Sequence, residues 1–158
     1  MKRGFFLVGL MLLLGCADQE TPVAVVAQDG IEWLTDFAAA SKLAKEKDLQ
    51  LMVNFSGSDW CKSCKALQTE VFSKKEFQEY ALQNFVLCVA DFPARINQKK
   101  ALKVQNRKLK TQYGVEGYPT ILILDKDGAE LARTSYRPGG AVAYVDHVKS
   151  LLNDENGN

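Results

Sequence analysis

The sequence predicts an α/β domain: a mixed β-sheet covered by helices. Three observations carry this. Residues 49–55 and 85–92 are apolar runs of strand length, as buried strands are. The segments around them space their apolar residues as helices do. Asp125-Lys126-Asp127-Gly128 lies between two further strand-like runs, with a glycine placed for the positive φ of a hairpin turn. The length of 158 residues fits one domain, and 47% apolar with 25% charged residues fits an ordinary globular chain. A net charge of +1 supplies no basic field, so no nucleic-acid partner is expected.

The N-terminus is set apart from the fold. Lys2 and Arg3 precede an apolar run over residues 5–14, too short to span a bilayer as a helix. The run ends in Leu13-Leu14-Gly15-Cys16, which resembles the bacterial lipobox, where the cysteine becomes the lipidated N-terminus. Residues 1–15 are therefore expected to be a lipoprotein signal peptide, Cys16 the lipidation site and residues 16–28 a tether. In the tether, residues 23–27 have the character of a short docked strand. Without Lys2 and Arg3 the rest of the chain is nearly neutral. No polybasic segment would assist the membrane attachment, which falls to the lipid alone. The expected location is the bacterial cell envelope, lipid-anchored on the periplasmic side.

The domain is expected over residues 29–152. Trp33, Leu34, Phe37, Ala40 and Ala44 recur at helical spacing, giving a helix over 36–47 capped by Thr35 or Asp36. The strand at 49–55 follows and is broken by Ser56-Gly57-Ser58-Asp59. Residues 65–72 are helical in character. Ser73-Lys74-Lys75-Glu76 has the form of a capping box and predicts a further helix to about residue 83. After the strand at 85–92, residues 97–113 read as a surface helix with Ile96, Leu102, Leu109 and Tyr113 as its sparse apolar contacts, ended by Gly114. Its lysines, Lys99, Lys100, Lys103, Lys108 and Lys110, read as a solvated face. Pro119 opens the next strand, residues 130–136 return from the hairpin, and Ala141, Val145, Val148 and Leu152 stripe a last helix. Residues 153–158 are expected to be a polar tail. His147 falls off that stripe and is expected at the surface.

The chemistry rests on cysteine. Cys61 and Cys64 form a C-x-x-C pair directly after a buried strand and at the start of a helix. Unpaired N–H groups and the helix dipole there favour an anion, and a thiolate is the anion at stake. Two intervening residues let the sulfurs join. No second pair accompanies them and His147 is remote, so no structural zinc site and no metal are expected. Cys88, inside an apolar run, reads as a small buried hydrophobe.

Val53-Asn54-Phe55 with Asp59-Trp60-Cys61-Lys62-Ser63-Cys64-Lys65 resembles the active-site segment of the thioredoxin superfamily. Gly117-Tyr118-Pro119-Thr120 resembles its cis-proline loop. The resemblance covers residues 29–152. It implies a thioredoxin-like fold with helices on both faces of the sheet and a thiol–disulfide oxidoreductase without a small-molecule cofactor. Cys61 would be the nucleophile and Cys64 the resolving cysteine. Trp60, Tyr118 and a cis Pro119 would contact substrate. Protein disulfides and dithiols would be the substrates of a monomer. Two departures leave the direction of electron flow open. Lys62-Ser63 replaces the dipeptide that tunes the potential, and Asn54 stands where the family has a buried aspartate. Asn54 cannot take the resolving proton, so Asp59 or a water would have to do so. Lys62 and Lys65 either stabilise a thiolate or are only solvated. Two other readings compete: a thioredoxin-fold binding module or Cu(I) metallochaperone without turnover, and an interaction domain with a vestigial site.

Overall fold

The computed structural model describes residues 25–28 and 31–155. The expected signal peptide, Cys16 and most of the tether lie outside the described residues. The elements are β1 (Val25–Gln28), β2 (Ile31–Leu34), α1 (Phe37–Lys47), β3 (Gln50–Ser56), α2 (Lys62–Leu67), α3 (Lys75–Asn84), β4 (Phe85–Asp91), α4 (Lys100–Gln112), β5 (Thr120–Leu124), β6 (Glu130–Thr134) and α5 (Gly140–Glu155). A π-helical turn over Gln68–Phe72 continues α2 without a break.

The strands form one mixed sheet in the order β1-β2-β4-β3-β5-β6. β3 and β4 run parallel at its centre, in register Val53↔Cys88 and Asn54↔Val89. β5 lies antiparallel to β3, and β6 to β5. Alternate residues of the central strands enter opposite cores, which is why both faces read as apolar runs. Met52, Phe85, Leu87, Val89, Ile121 and Ile123 meet Leu67, Phe72, Phe77 and Tyr144, from the α2, α3 and α5 side. Leu51, Val53, Phe55, Val86, Cys88 and Leu122 meet Ala40, Ala44 and Leu109, from α1 and α4. The expected α/β plan with helices on both faces holds.

Four local expectations change. Trp33 and Leu34 do not lead into a helix. They lie on β2, where Leu34 pairs with Cys88 and the Trp33 ring packs on Phe72 at 5.0 Å. Asp36 caps α1 in an extended conformation, accepting the Ala39 N–H at 3.0 Å, so the chain before it is extended. The Ser73 capping box does not form. The Ser73 hydroxyl donates to the Thr69 carbonyl and closes the π-helical turn instead, while α3 starts after Lys74 with no side-chain cap. Residues 153–155 extend α5 rather than opening a polar tail. His147 is half-buried, its Nε2 lying 2.9 Å from the Thr134 hydroxyl. Burial, then the Arg137 charge, lowers its pKa.

Candidate active site

The site is built where β3 gives way to α2. Ser56 ends the strand, and its carbonyl accepts the Phe92 N–H at 2.8 Å, tying the ends of β3 and β4 together. The loop after β3 is clamped to the end of β4 and the segment beyond it by two carboxylates. Asp91 accepts from the Ser58 N–H at 2.9 Å and the Ser58 hydroxyl at 2.6 Å. Asp59 accepts the N–H groups of Ala94, Arg95 and Ile96 at 2.9, 2.6 and 3.1 Å. These backbone donors, Ala94 first, hold the Asp59 carboxyl below its ordinary value. Asp59 thus staples a loop, and its oxygens are engaged there rather than at Cys64. Of the two substitutes open for the missing aspartate, Asp59 or a water, the first is thus engaged in holding the loop.

Gly57 permits the next step. A Cβ there would lie 2.5 Å from the Trp60 indole, so only glycine lets the ring fold back over the loop. Trp60 Nε1 donates to the Phe92 carbonyl at 2.9 Å, and the ring remains 46% exposed. Cys61 then caps α2. Its N–H donates to the Gly57 carbonyl at 2.8 Å, and its Sγ accepts the Cys64 N–H at 3.2 Å. Cys61 and Cys64 are joined as a disulfide, with their Cα atoms 5.3 Å apart. Cys61 is 5% and Cys64 7% exposed, so burial does not rank the two residues. Their neighbours do.

On the Cys61 side stands the loop before β5. The Tyr118–Pro119 bond is cis, and Cys61 Sγ lies 3.6 Å from the Tyr118 carbonyl oxygen. Pro119 is buried, and its carbonyl accepts the Ser135 hydroxyl at 2.7 Å. The Tyr118 ring meets Trp60 edge-on at 5.8 Å and Phe92 at 5.0 Å, with Lys110 Nζ 5.2 Å from its centroid. The structure therefore brings together Trp60, Cys61, Cys64, Tyr118 and Pro119. Phe92 and Lys110 belong to the same cluster: neither carries a motif, and Lys110, expected on a solvated face, is half-buried instead, while Ile96, expected as an apolar contact, is 60% exposed.

On the Cys64 side lies a cavity of about 550 Å³, lined by Cys64, Asn54, Ser56, Val89, Asp91 and Leu102 among others. Asn54 is 6% exposed, and its Oδ1 is buried without a hydrogen-bond donor. Lys65 Nζ donates to the Asp59 carbonyl at 3.0 Å, a loop contact, and Lys62 is exposed. Cys88 is fully buried and unpaired, and burial pushes its thiol up to about 12. Among the described residues, no group of three or more His, Cys, Asp or Glu side chains is placed to hold a metal ion.

Comparison with known proteins agrees with this geometry. Residues 37–146 match the family described as Thioredoxin-like domain. The chain belongs to the thioredoxin-like family. It is 34% identical over 127 residues to the "Disulfide bond reductase DsbH" of Chlamydia pneumoniae, spanning 80% of this chain and 76% of that protein. It is 30% identical over 131 residues to the "Thioredoxin-related protein DsbJ" of the same organism, but spans only 38% of that longer protein. The solved structure of a "DsbH Oxidoreductase" superposes with a TM-score of 0.71 at 35% identity, covering 75% of this chain and 82% of that one. A thioredoxin-like chain with this ancestry and a disulfide-forming pair in the active-site position is a thiol–disulfide oxidoreductase. Among the described residues no helix is long and apolar enough to cross a membrane.

Proposed function

We propose that this chain is a lipid-anchored disulfide reductase of the bacterial cell envelope, working as a monomer on exported proteins or redox partners. The observation that carries the reading is the placement of Cys61. It caps a helical run that continues through Phe72 and sits 3.6 Å from the carbonyl of the cis-proline loop. A thiolate there is stabilised by the helix dipole and by the Cys64 N–H. The anchoring part of the proposal rests on the Leu13-Leu14-Gly15-Cys16 leader, and the reductive direction on the name borne by the relative at 34% identity.

The reaction proceeds in two exchanges. The Cys61 thiolate attacks one sulfur of a substrate disulfide. The substrate S–S bond breaks, a mixed disulfide forms, and one substrate thiolate leaves. Cys64 then loses its proton and attacks Cys61 Sγ. The mixed disulfide breaks, the Cys61–Cys64 disulfide forms, and the second substrate thiolate leaves and is protonated. Two electrons pass from the pair to the substrate, which gains two protons. Trp60 covers the pair from one side, and the Tyr118 backbone offers hydrogen bonds to an extended substrate.

A Cys64→Ala variant tests this. It should accumulate mixed disulfides through Cys61, identifiable by mass spectrometry after acid quenching, and these should be absent from Cys61→Ala. No adduct in either variant, together with no exchange by the wild type, would sink the proposal.

A further inference from the structure

The exchange chemistry uses none of the charge on α4, and that charge is lopsided. Lys99, Lys100, Lys103, Arg107, Lys108 and Lys110 fall on α4 and its N-cap, and no acidic residue does. The chain as a whole carries 20 basic and 19 acidic residues, so this helix concentrates a charge the rest balances. Among the described residues, none of these cations joins an ion pair, although six pairs occur elsewhere. All are exposed except Lys110, which is half-buried.

Folding does not account for the pattern. Lys99, Lys100 and Lys103 crowd the positive end of the helix dipole, where cations destabilise, and Lys99 provides no side-chain cap. Like charges three and four positions apart repel. α4 is secured by other means: Leu109 is buried, and the buried Asn106 donates to the Asp91 carbonyl at 2.8 Å. The neighbouring acids are engaged elsewhere. Asp59 holds three loop N–H groups and Asp91 holds Ser58.

The strip leads to the active site. Lys100, Lys103, Arg107 and Lys110 recur at spacings that place them on one side of the helix. The last of them stands over Tyr118 and Phe92, at 5.2 and 6.0 Å from their ring centroids. At ~1.5 Å per residue the strip is about 15 Å long, the span of roughly five residues of extended peptide.

We propose that α4 is a docking strip for an acidic segment flanking the reactive cysteine of a protein partner. The proposal builds on the exchange reading and names the chemistry of the partner. Electrostatic complementarity of this kind raises encounter rates and selects partners more than it adds affinity.

The test uses three disulfide peptides with one common core and a five-residue flank that is acidic, neutral or basic. Each exchange rate with the purified reduced chain is divided by the same peptide's rate with dithiothreitol. At low ionic strength the acidic peptide should react about tenfold faster than the neutral one and the basic peptide more slowly, with the spread closing at high salt. Lys100→Glu with Lys103→Glu and Arg107→Glu should invert the order. The corresponding glutamine variant, whose helix content is checked by circular dichroism, should abolish it. Equal normalised rates for all three peptides would overturn the docking proposal while leaving exchange intact. Failure of every peptide to react would overturn the exchange reading itself. Binding to phosphatidylglycerol vesicles that is lost in the glutamate variant, without any preference among peptides, would assign the strip to a membrane surface and overturn it too.

Discussion

Replacing Asn54 with leucine should make the chain more strongly reducing. Along β3, Met52 and Asn54 share the face that α2 covers, and Asn54 lines the same cavity as Cys64. In the disulfide form the Asn54 Oδ1 is buried and lacks a donor. An unsatisfied buried acceptor of this kind costs about 1–3 kcal/mol. Reduction puts a proton on Cys64 and so brings a donor into the cavity that this acceptor also lines. The S–H group is a weak donor, so the reduced state recovers about 1 kcal/mol of the penalty. That corresponds to roughly a fivefold change in the exchange equilibrium, or about 20 mV for a two-electron couple. Leucine is close in shape and removes the acceptor from both redox states. The variant should therefore have a potential about 20 mV lower, shifting its equilibrium with glutathione about fivefold toward the disulfide.

The assay is equilibration of both proteins across a series of glutathione buffers, followed by acid quenching, alkylation and mass analysis. A paired measurement separates the cause. Thermal melting of the oxidised form should rise more on substitution than melting of the reduced form. An unchanged or higher potential in Asn54→Leu would refute the reasoning, since a water satisfying Asn54 equally in both states gives that result.

Two further predictions concern the loop that holds the pair. Gly57→Ala should lower stability by about 1–3 kcal/mol in urea denaturation, because its Cβ would displace the Trp60 indole from Phe92; combining it with Trp60→Ala should recover most of that loss, and simple additivity would count against the clash. Asp59 has a folded pKa depressed below its ordinary 3.8, so its contribution is present above that value and is lost as pH falls through the depressed one. The stability advantage of the wild type over Asp59→Ala should accordingly shrink as pH falls below 3.8, and a constant difference would show that the carboxylate charge is not what the loop N–H groups recognise.

What the sequence revealed and what it hid follow from how each feature is encoded. The central strands were legible because both of their faces are buried, so β3 and β4 stand out as apolar runs between polar loops. The hairpin was legible because Gly128 must adopt a φ of +88°. β2 was hidden by coincidence: Trp33 and Leu34 stand at helical distances from Phe37 and Ala40, and only the Asp36 cap separates strand from helix. The capping box at Ser73 failed because the π-helical turn claimed its hydroxyl, and nothing local marks such a turn. At the site, Cys61 and Cys64 announced themselves by spacing, and Pro119 through the resemblance of its loop to the thioredoxin superfamily's. Asp59 did not, because its partners are backbone N–H groups 35 to 37 residues away, which carry no sequence signal. Asn106 was lost for a similar reason: one buried amide among many exposed polar residues has no pattern of its own.

The two cysteines are buried almost equally, so the asymmetry needed for directed exchange is sought in their surroundings. Cys61 caps a helical run and accepts a backbone N–H, an environment that favours the thiolate. Cys64 is one turn inside, against a largely apolar cavity whose nearest orphan is an acceptor. An acceptor favours the protonated thiol and cannot relieve it of its proton. In the proposed cycle attack by Cys61 is thereby eased, whereas Cys64 finds no base in Asn54, and both nearby carboxylates hold loop donors, Asp59 three N–H groups and Asp91 the Ser58 N–H and hydroxyl. On the proposed cycle the mixed disulfide should therefore accumulate, and single-turnover exchange followed across pH should show its decay accelerating as pH rises. A long-lived adduct would also suit the docking proposed for α4. A partner steered onto the correct face during encounter remains held there through the slow step, so selection made by charge at the start is not lost before the second exchange completes.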